Sequence, residues 1–166
     1  MSCITLHVAG CIDVFTQHCY CEIIIDKLNY SIEHKNLQIY EYVLMPGYLS
    51  MIAATSKNHL SKVLRDFKIQ TAREVLKSIS ENPLEPRKEW LMRLFHYYTN
   101  RYQNDSEYHF WQFGNNPVDL PTPELLQQKA EEVINIPVAA KLVDKPPCYI
   151  YSSAHPRQRV QLSEWR

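Results

Sequence analysis

The sequence predicts a fold of the mixed α/β (α+β) class, because strand-like and helix-like patterns alternate along its 166 residues. Two stretches, 3–8 and 37–53, are rich in β-branched and aromatic residues and show the alternation of strands. Two others, 16–32 and 59–79, carry apolar residues at helical spacing. An apolar content of 45% and a formal net charge of zero are ordinary for one soluble domain, and give no overall basic signature of nucleic-acid binding.

The first half of the chain predicts a strand, a helix and a hairpin. Cys3–Val8 alternates apolar and polar side chains, and Thr16 is placed to cap a helix that continues to about residue 32. Strands over Leu37–Leu44 and Tyr48–Ala53 come next, and the Pro-Gly pair between them favours a tight turn. These two strands therefore form a hairpin.

The middle of the chain predicts two more helices and a fourth strand. A long helix spans about His59–Ile79 and ends before two proline-containing pairs, which break helices. A shorter inserted helix covers about 87–98. After a polar loop over Asn100–Glu107, Tyr108–Phe113 is the candidate fourth strand.

A last helix, capped by Thr122 and with proline at its first position, is expected to end near Ile134, before Pro137. The order strand, helix, strand, strand, helix, strand is that of the ferredoxin-like βαββαβ plait, which has a four-stranded antiparallel sheet. We therefore expect one domain over residues 1–145, with the 87–98 insertion and the C-terminal helix as additions. Residues 146–166 are expected to form an irregular tail.

The cysteine and hydropathy patterns argue against several classes of protein. The five cysteines are odd in number and include no Cys-x-x-Cys pair, so we expect reduced thiols and neither metal nor other cofactor. The N-terminus lacks the pattern of a signal peptide, and no run approaches the roughly 18 apolar residues of a membrane span. The sequence thus predicts a cytoplasmic protein without a membrane partner.

Six segments, in the same order along the chain, resemble one protein family. They are Ile12–Thr16, Tyr42–Pro46, Leu60–Lys68, Phe110–Gln112, Asn135–Val143 and Tyr149–Ala154. In these segments the chain is similar to the REP-associated tyrosine transposases and their single-tyrosine (HUH) insertion-sequence relatives of bacteria. The resemblance implies the ferredoxin-like fold, and it implies hairpin-forming single-stranded DNA as the ancestral substrate.

The resemblance also implies where catalytic residues would lie. In the family, two histidines separated by one residue bind a divalent metal. A helix supplies a nucleophilic tyrosine, and an amide side chain four residues after it is a further metal ligand. At the histidine positions this chain has Tyr48 and Ser50, preceded by Gly47 where the family has asparagine. At the tyrosine and amide positions it has Glu132 and Ile136. We interpret the chain as a degenerate, catalytically inactive member that keeps the fold and has no metal site.

DNA binding is the function that such a fold could retain. Ten basic and five acidic residues lie between Lys57 and Arg101, a local net charge of +5. Such a surface contacts phosphates, and a nearby aromatic residue such as Trp90 could stack on unpaired bases. The alternatives are a solvated helix surface for the cations and a core position for Trp90. The predicted DNA-binding residues are Lys62, Arg65, Lys68, Arg73, Lys77, Arg87 and Lys88.

The helix at the ancestral nucleophile position is acidic. Lys129 alone opposes the carboxylates of this region, so we expect bound DNA to avoid the ancestral cleft. These carboxylates belong to Asp119, Glu124, Glu131 and Glu132.

Two alternative functions stay open. The sheet face that carries Tyr48 and Ser50, with Tyr40 and Tyr42 near them, could bind a protein partner or a second copy of the chain, as a subunit of a larger assembly. A relocated tyrosine nucleophile could sustain residual DNA strand transfer, although phosphoryl transfer also needs charge stabilisation at the phosphate.

Overall fold

The computed structural model describes residues 1–57, 59–101, 108–115 and 117–164, so most of the predicted loop over Asn100–Glu107 lies outside the described residues. The strands are β1 (Ser2–His7), β2 (Leu37–Met45), β3 (Tyr48–Thr55) and β4 (Val118–Asp119). The α-helices are α1 (His18–Lys35), α2 (Leu60–Glu81), α3 (Lys88–Arg101) and α4 (Pro123–Ala139). Short 3-10 helices lie at Ala9–Cys11 and Pro146–Cys148.

The four strands form one antiparallel sheet in the order β2-β3-β1-β4. With α1 between β1 and β2, and α2 between β3 and β4, this is the ferredoxin-like arrangement, so the predicted fold class is confirmed. The register places His7 of β1 opposite Tyr48 of β3, and Thr5 opposite Ser50. Because side chains alternate along a strand, these four residues lie on one face of the sheet.

The sheet separates two apolar clusters. The larger cluster lies on the face packed against α1, α2 and α3, and includes Leu6 of β1 and Phe95 of α3. The smaller cluster lies on the opposite face, where Val133 of α4 packs with Ile52 of β3. Helix α4 therefore covers the face that carries the four residues described above.

The fourth strand lies later in the chain than predicted. The expectation of a regular strand over Tyr108–Phe113 is wrong, since this stretch forms a single bridge, between Trp111 and Val8, just beyond the end of β1. Regular pairing with β1 comes at Val118–Asp119. Between the two pairings this segment has two residues more than the opposing stretch 3–8, and its backbone turns near Gly114, which has a φ of 75°.

Two predicted helix ends also differ from the structure, while the Thr122 cap on α4 is confirmed. The N-cap of α1 is Gln17, because the Thr16 hydroxyl instead accepts a hydrogen bond from Arg87 Nη2 at 3.0 Å. Helix α4 continues through Pro137. The proline is buried in the last turn, where its packing offsets the one backbone hydrogen bond that it removes.

Residues 149–163 run along the outer edge of β2. The side chains of Tyr151 and Val160 are buried here, with 9% and 2% of their surfaces exposed. This segment pairs with the edge groups that an outer strand otherwise presents to other chains. The backbone hydrogen bonds run from Leu44 N to Tyr151 O (2.9 Å), from Ser153 N to Tyr42 O (2.9 Å) and from Ser163 N to Ile39 O (2.7 Å).

A buried carboxylate joins the α2–α3 connection to the start of α1. The Glu85 side chain is fully buried and accepts hydrogen bonds from Gln17 Nε2 (2.9 Å), Tyr20 OH (3.2 Å) and Arg87 Nε (3.1 Å). Burial raises the pKa of Glu85, but the hydrogen bonds and charge of Arg87 outweigh burial and lower it overall. The same guanidinium donates to Asp13 O at 2.7 Å, so it ties two connections together.

Candidate nucleic-acid interface

The positions of the expected histidines, Tyr48 and Ser50, both lie on the central strand β3, under α4. The ring of Tyr48 lies against that of His7, with centroids 5.2 Å apart. Ser50 is 3% exposed, and its Oγ is 3.3 Å from Thr5 Oγ1. Burial raises the pKa of the Tyr48 phenol above its usual range.

The two helical positions approach the same face from α4. Ile136 packs against the smaller apolar cluster. The Glu132 carboxylate accepts hydrogen bonds from Lys129 and from Gln128 Nε2 (3.0 Å), and these bonds lower its pKa. Burial raises the pKa of the Cys3 thiol in β1, and the charges of Lys129 and Glu132 act on it in opposite directions. Tyr48, Ser50, Glu132 and Ile136 therefore lie on one side of the sheet.

This face has hydroxyl, thiol and carboxylate groups, but its donor set does not match a divalent metal site. Over the described residues, no three His, Cys, Asp or Glu side chains lie close enough together to hold a metal ion. The single imidazole of His7 is stacked near Tyr48, and Ile136 has no donor atom. The donor atoms of this face therefore do not form a set of the kind that divalent metals prefer.

The tyrosine-rich interaction face expected from the sequence is altered by a β-bulge. The register of β2 shifts between Ile39 and Glu41, so side chains beyond this point change faces. Tyr40 remains under α4, but Tyr42 lies in the larger cluster on the opposite face with none of its surface exposed. The expectation that Tyr42 lies beside Tyr48 is therefore wrong.

Of the predicted cations on α2, some are exposed to solvent, and one, Lys68, is hydrogen-bonded within the protein. Lys62, Arg65 and Arg73 are exposed, and none forms an ion pair with a carboxylate of the described residues. Lys77 is also exposed and lies 4.0 Å from a carboxylate oxygen of Glu81. At about 100° per residue, these four positions share the solvent side of the helix.

The remaining predicted cations contact the protein itself or lie beyond α2. Lys68 Nζ donates to Gln112 O at 2.6 Å and to Gly114 O at 3.3 Å, and burial lowers its pKa. Arg87 is bound within the Glu85 network described above. Lys88 begins α3 and is partly exposed. A phosphate approaching from solvent would thus contact Lys62, Arg65, Arg73 and Lys77 more readily than Lys68 and Arg87, which are hydrogen-bonded within the protein.

A groove of about 760 Å³ lies between α2 and residues 108–115. Arg65 and Arg73 line it together with two exposed apolar side chains, Ile69 (53% exposed) and Phe113 (64% exposed). Sequence reasoning missed both apolar residues. The sequence pattern could have indicated that Ile69 is exposed, since this residue lies on the charged side of α2, between Lys62 and Arg73 and outside the apolar stripe. No sequence pattern could have indicated the exposure of Phe113, because its position depends on the turn after Trp111.

No protein family and no curated protein matches the sequence. Among solved structures, the chain is similar to a REP-associated tyrosine transposase bound to a REP hairpin, with a TM-score of 0.60 and 13% sequence identity. The two proteins share a fold. The alignment covers 93% of this chain and 76% of the transposase chain, so the likeness extends to the additions around the sheet.

Within the part of the chain that the structure describes, no helix combines enough length with enough apolar character to cross a bilayer.

Proposed function

We propose that this protein is a catalytically inactive, transposase-like protein of bacterial origin that binds single-stranded or hairpin DNA in the cytoplasm. The observation that carries DNA binding is the exposed pair Arg65 and Arg73 on α2, beside a groove with apolar side chains. Guanidinium groups without carboxylate partners bind phosphates in two-pronged geometry. The shared fold with a transposase bound to a REP hairpin supports the proposal.

Four positions, Tyr48, Ser50, Glu132 and Ile136, support the proposed loss of catalysis. Phosphotyrosine formation needs a nucleophile and positive charge at the scissile phosphate. On this face the phenol of Tyr48 has a raised pKa, and the ammonium of Lys129 is paired with Glu132. The alternative is residual strand transfer by a relocated tyrosine. On this face, that reaction would lack positive charge to stabilise the scissile phosphate.

We expect no covalent adduct when the protein is incubated with hairpin-tailed single-stranded DNA and Mg²⁺ or Mn²⁺. The reason is that neither the metal ligands nor the nucleophile of the ancestral reaction is in place. Denaturing gel electrophoresis with labelled DNA measures the adduct directly. A labelled protein band would overturn the inactive assignment, and its loss in Tyr48→Phe would identify Tyr48 as the relocated nucleophile.

Electrostatics favour α2 over the ancestral cleft as the DNA-contacting surface. Glu124, Glu131 and Glu132 lie on α4, and Glu131 is exposed beside Glu132. A phosphate backbone entering under α4 would meet these carboxylates, whereas on α2 it would meet cations. The two surfaces lie on opposite sides of the sheet.

We expect the double variant Arg65→Gln/Arg73→Gln to bind DNA about tenfold more weakly than wild type at moderate salt. Each lost phosphate contact should also reduce the slope of log affinity against log salt by roughly 0.7–0.9. Fluorescence anisotropy at several salt concentrations measures both quantities. Arg157→Gln is the matched control, because Arg157 is an exposed arginine in the tail. Equal affinities for the double variant and the control would contradict the assignment of α2.

A protein contact is the second candidate function, and α3 supports it. Trp90 and Tyr97 are 53% and 52% exposed, so Trp90 is not a core residue. They are two helical turns apart with Arg93 between them, and Trp, Tyr and Arg are enriched at binding hot spots. If the protein binds no DNA, but one stoichiometric protein co-purifies from native extract and Trp90→Ala/Tyr97→Ala releases it, this candidate replaces the first.

A further inference from the structure

The groove between α2 and residues 108–115 has an unusual combination of apolar surface and positive charge. Its base includes Phe110 and Trp111, which are 2% and 4% exposed, whereas Ile69 and Phe113 at its margins are more than half exposed. Exposed apolar side chains that converge on a concave surface mark binding sites. A volume of about 760 Å³ is in the range of small-molecule pockets.

The cations are arranged on both sides of the apolar surface. Arg65 and Arg73 are eight residues apart on α2, which places their Cα atoms about 12 Å apart along the helix axis. Ile69 is midway between them and shares the same side of the helix. A planar apolar group resting on Ile69 would therefore have a guanidinium group on either side.

The opposite wall of the groove is held in place by the protein. Lys68 Nζ donates to Gln112 O, Gly114 O and Asn115 Oδ1, at 2.6, 3.3 and 3.2 Å, and so fastens the turn to α2. The ring of Phe113 packs on His109, with centroids 4.5 Å apart. A fixed aromatic ring loses little entropy when a second ring stacks on it, so the site is preorganised.

From this geometry we infer that the groove holds one unpaired nucleobase against Phe113 and Ile69, with the phosphates on either side bound by Arg65 and Arg73. This inference rests on the proposed DNA binding. It assigns the protein's preference for unpaired DNA to this groove. Bases in a duplex are stacked within it and are not available to Phe113, whereas bases of a single strand stack on aromatic side chains. The site requires no base-specific hydrogen bond, so it tolerates different sequences.

The test compares single-stranded oligothymidine with a blunt duplex carrying the same number of phosphates, by fluorescence anisotropy at one salt concentration. We expect Phe113→Ala to bind the single strand about tenfold more weakly and to leave duplex affinity within about twofold. Phe113→Tyr should restore single-strand affinity, because its ring stacks in the same way. Ile69→Ala should weaken single-strand binding more than Ile150→Ala, the matched control at 51% exposure against 53%.

The outcomes separate this inference from the proposed function. If wild type binds single strands and Phe113→Ala binds them equally well, the groove site is wrong and DNA binding stands. If Phe113→Ala weakens both kinds of DNA equally, the groove contacts backbone only and the base site is again wrong. If wild type binds neither DNA, the proposed function fails and this inference fails with it. Circular dichroism of each variant checks that the fold is retained.

Discussion

Replacing Glu85 with alanine should lower the free energy of unfolding by about 3 kcal/mol, because it leaves buried donors without their acceptor. The carboxylate accepts from Gln17, Tyr20 and Arg87, and its side chain has no exposed surface. Its loss also removes the hydrogen bonds from Gln17 and Tyr20 that join the α2–α3 connection to the start of α1. Urea denaturation followed by circular dichroism measures the change.

The matched control is Glu81→Ala, four residues earlier on the exposed end of α2. The Glu81 side chain is 66% exposed and lies 4.0 Å from Lys77, so its removal should change stability by less than about 0.5 kcal/mol. A Glu85→Ala loss no larger than that of the control would show that the buried network contributes little.

The pH dependence gives a separate check on Glu85. Its folded-state pKa is lowered from 4.5, so the ionised carboxylate adds stability above this value and the contribution is lost as the pH falls through the folded pKa. The stability advantage of wild type over Glu85→Gln should be constant near neutral pH and should shrink below pH 4.5. An advantage that grows on acidification would contradict an ionised Glu85.

Ending the chain after Asp144 should cost about 4 kcal/mol of unfolding free energy and should promote self-association. The truncation removes the buried side chains of Tyr151 and Val160, which contribute about 1.5–3 kcal/mol each. It also uncovers the hydrogen-bonding groups of β2, and an uncovered edge strand pairs with other chains. Urea denaturation measures the first effect, and light scattering after size-exclusion chromatography measures the second.

Ending the chain after Ser163 is the control, because it keeps every described hydrogen bond between the tail and β2. Where the shorter chain is insoluble, Tyr151→Phe gives a milder test, since it removes only the hydroxyl, which lies 2.5 Å from His18 Nδ1. That variant should lose about 1 kcal/mol. A monomeric and fully stable chain ending at Asp144 would show that the tail does not protect the β2 edge.

Local patterns were sufficient to predict most of the fold. The alternation in β1 and in the β2–β3 hairpin, and the apolar stripe of α2, are properties of short stretches with one preferred conformation. The Thr122 cap is equally local, since its hydroxyl bonds a backbone group three residues away. These features need no knowledge of distant contacts.

The errors lie where a distant partner replaces the local one. The local pattern predicts that Thr16 caps α1, but its hydroxyl instead accepts a hydrogen bond from the guanidinium of Arg87. Pro137 would end α4, but the helix continues through this residue, which is buried in the tertiary structure. The β2 bulge changes the face of Tyr42, because one extra residue inverts the alternation beyond it. None of these contacts leaves a mark in the neighbouring sequence.

The candidate site divides in the same way. By itself the sequence determined that residues 48 and 50 are tyrosine and serine, and that α2 carries a row of cations, because residue identity and helical spacing are local properties. Only the tertiary structure decided which cations are exposed and that Ile69 and Phe113 meet across a groove. The physical reason is that Phe113 reaches α2 through a turn fastened by Lys68, a contact between residues more than forty positions apart.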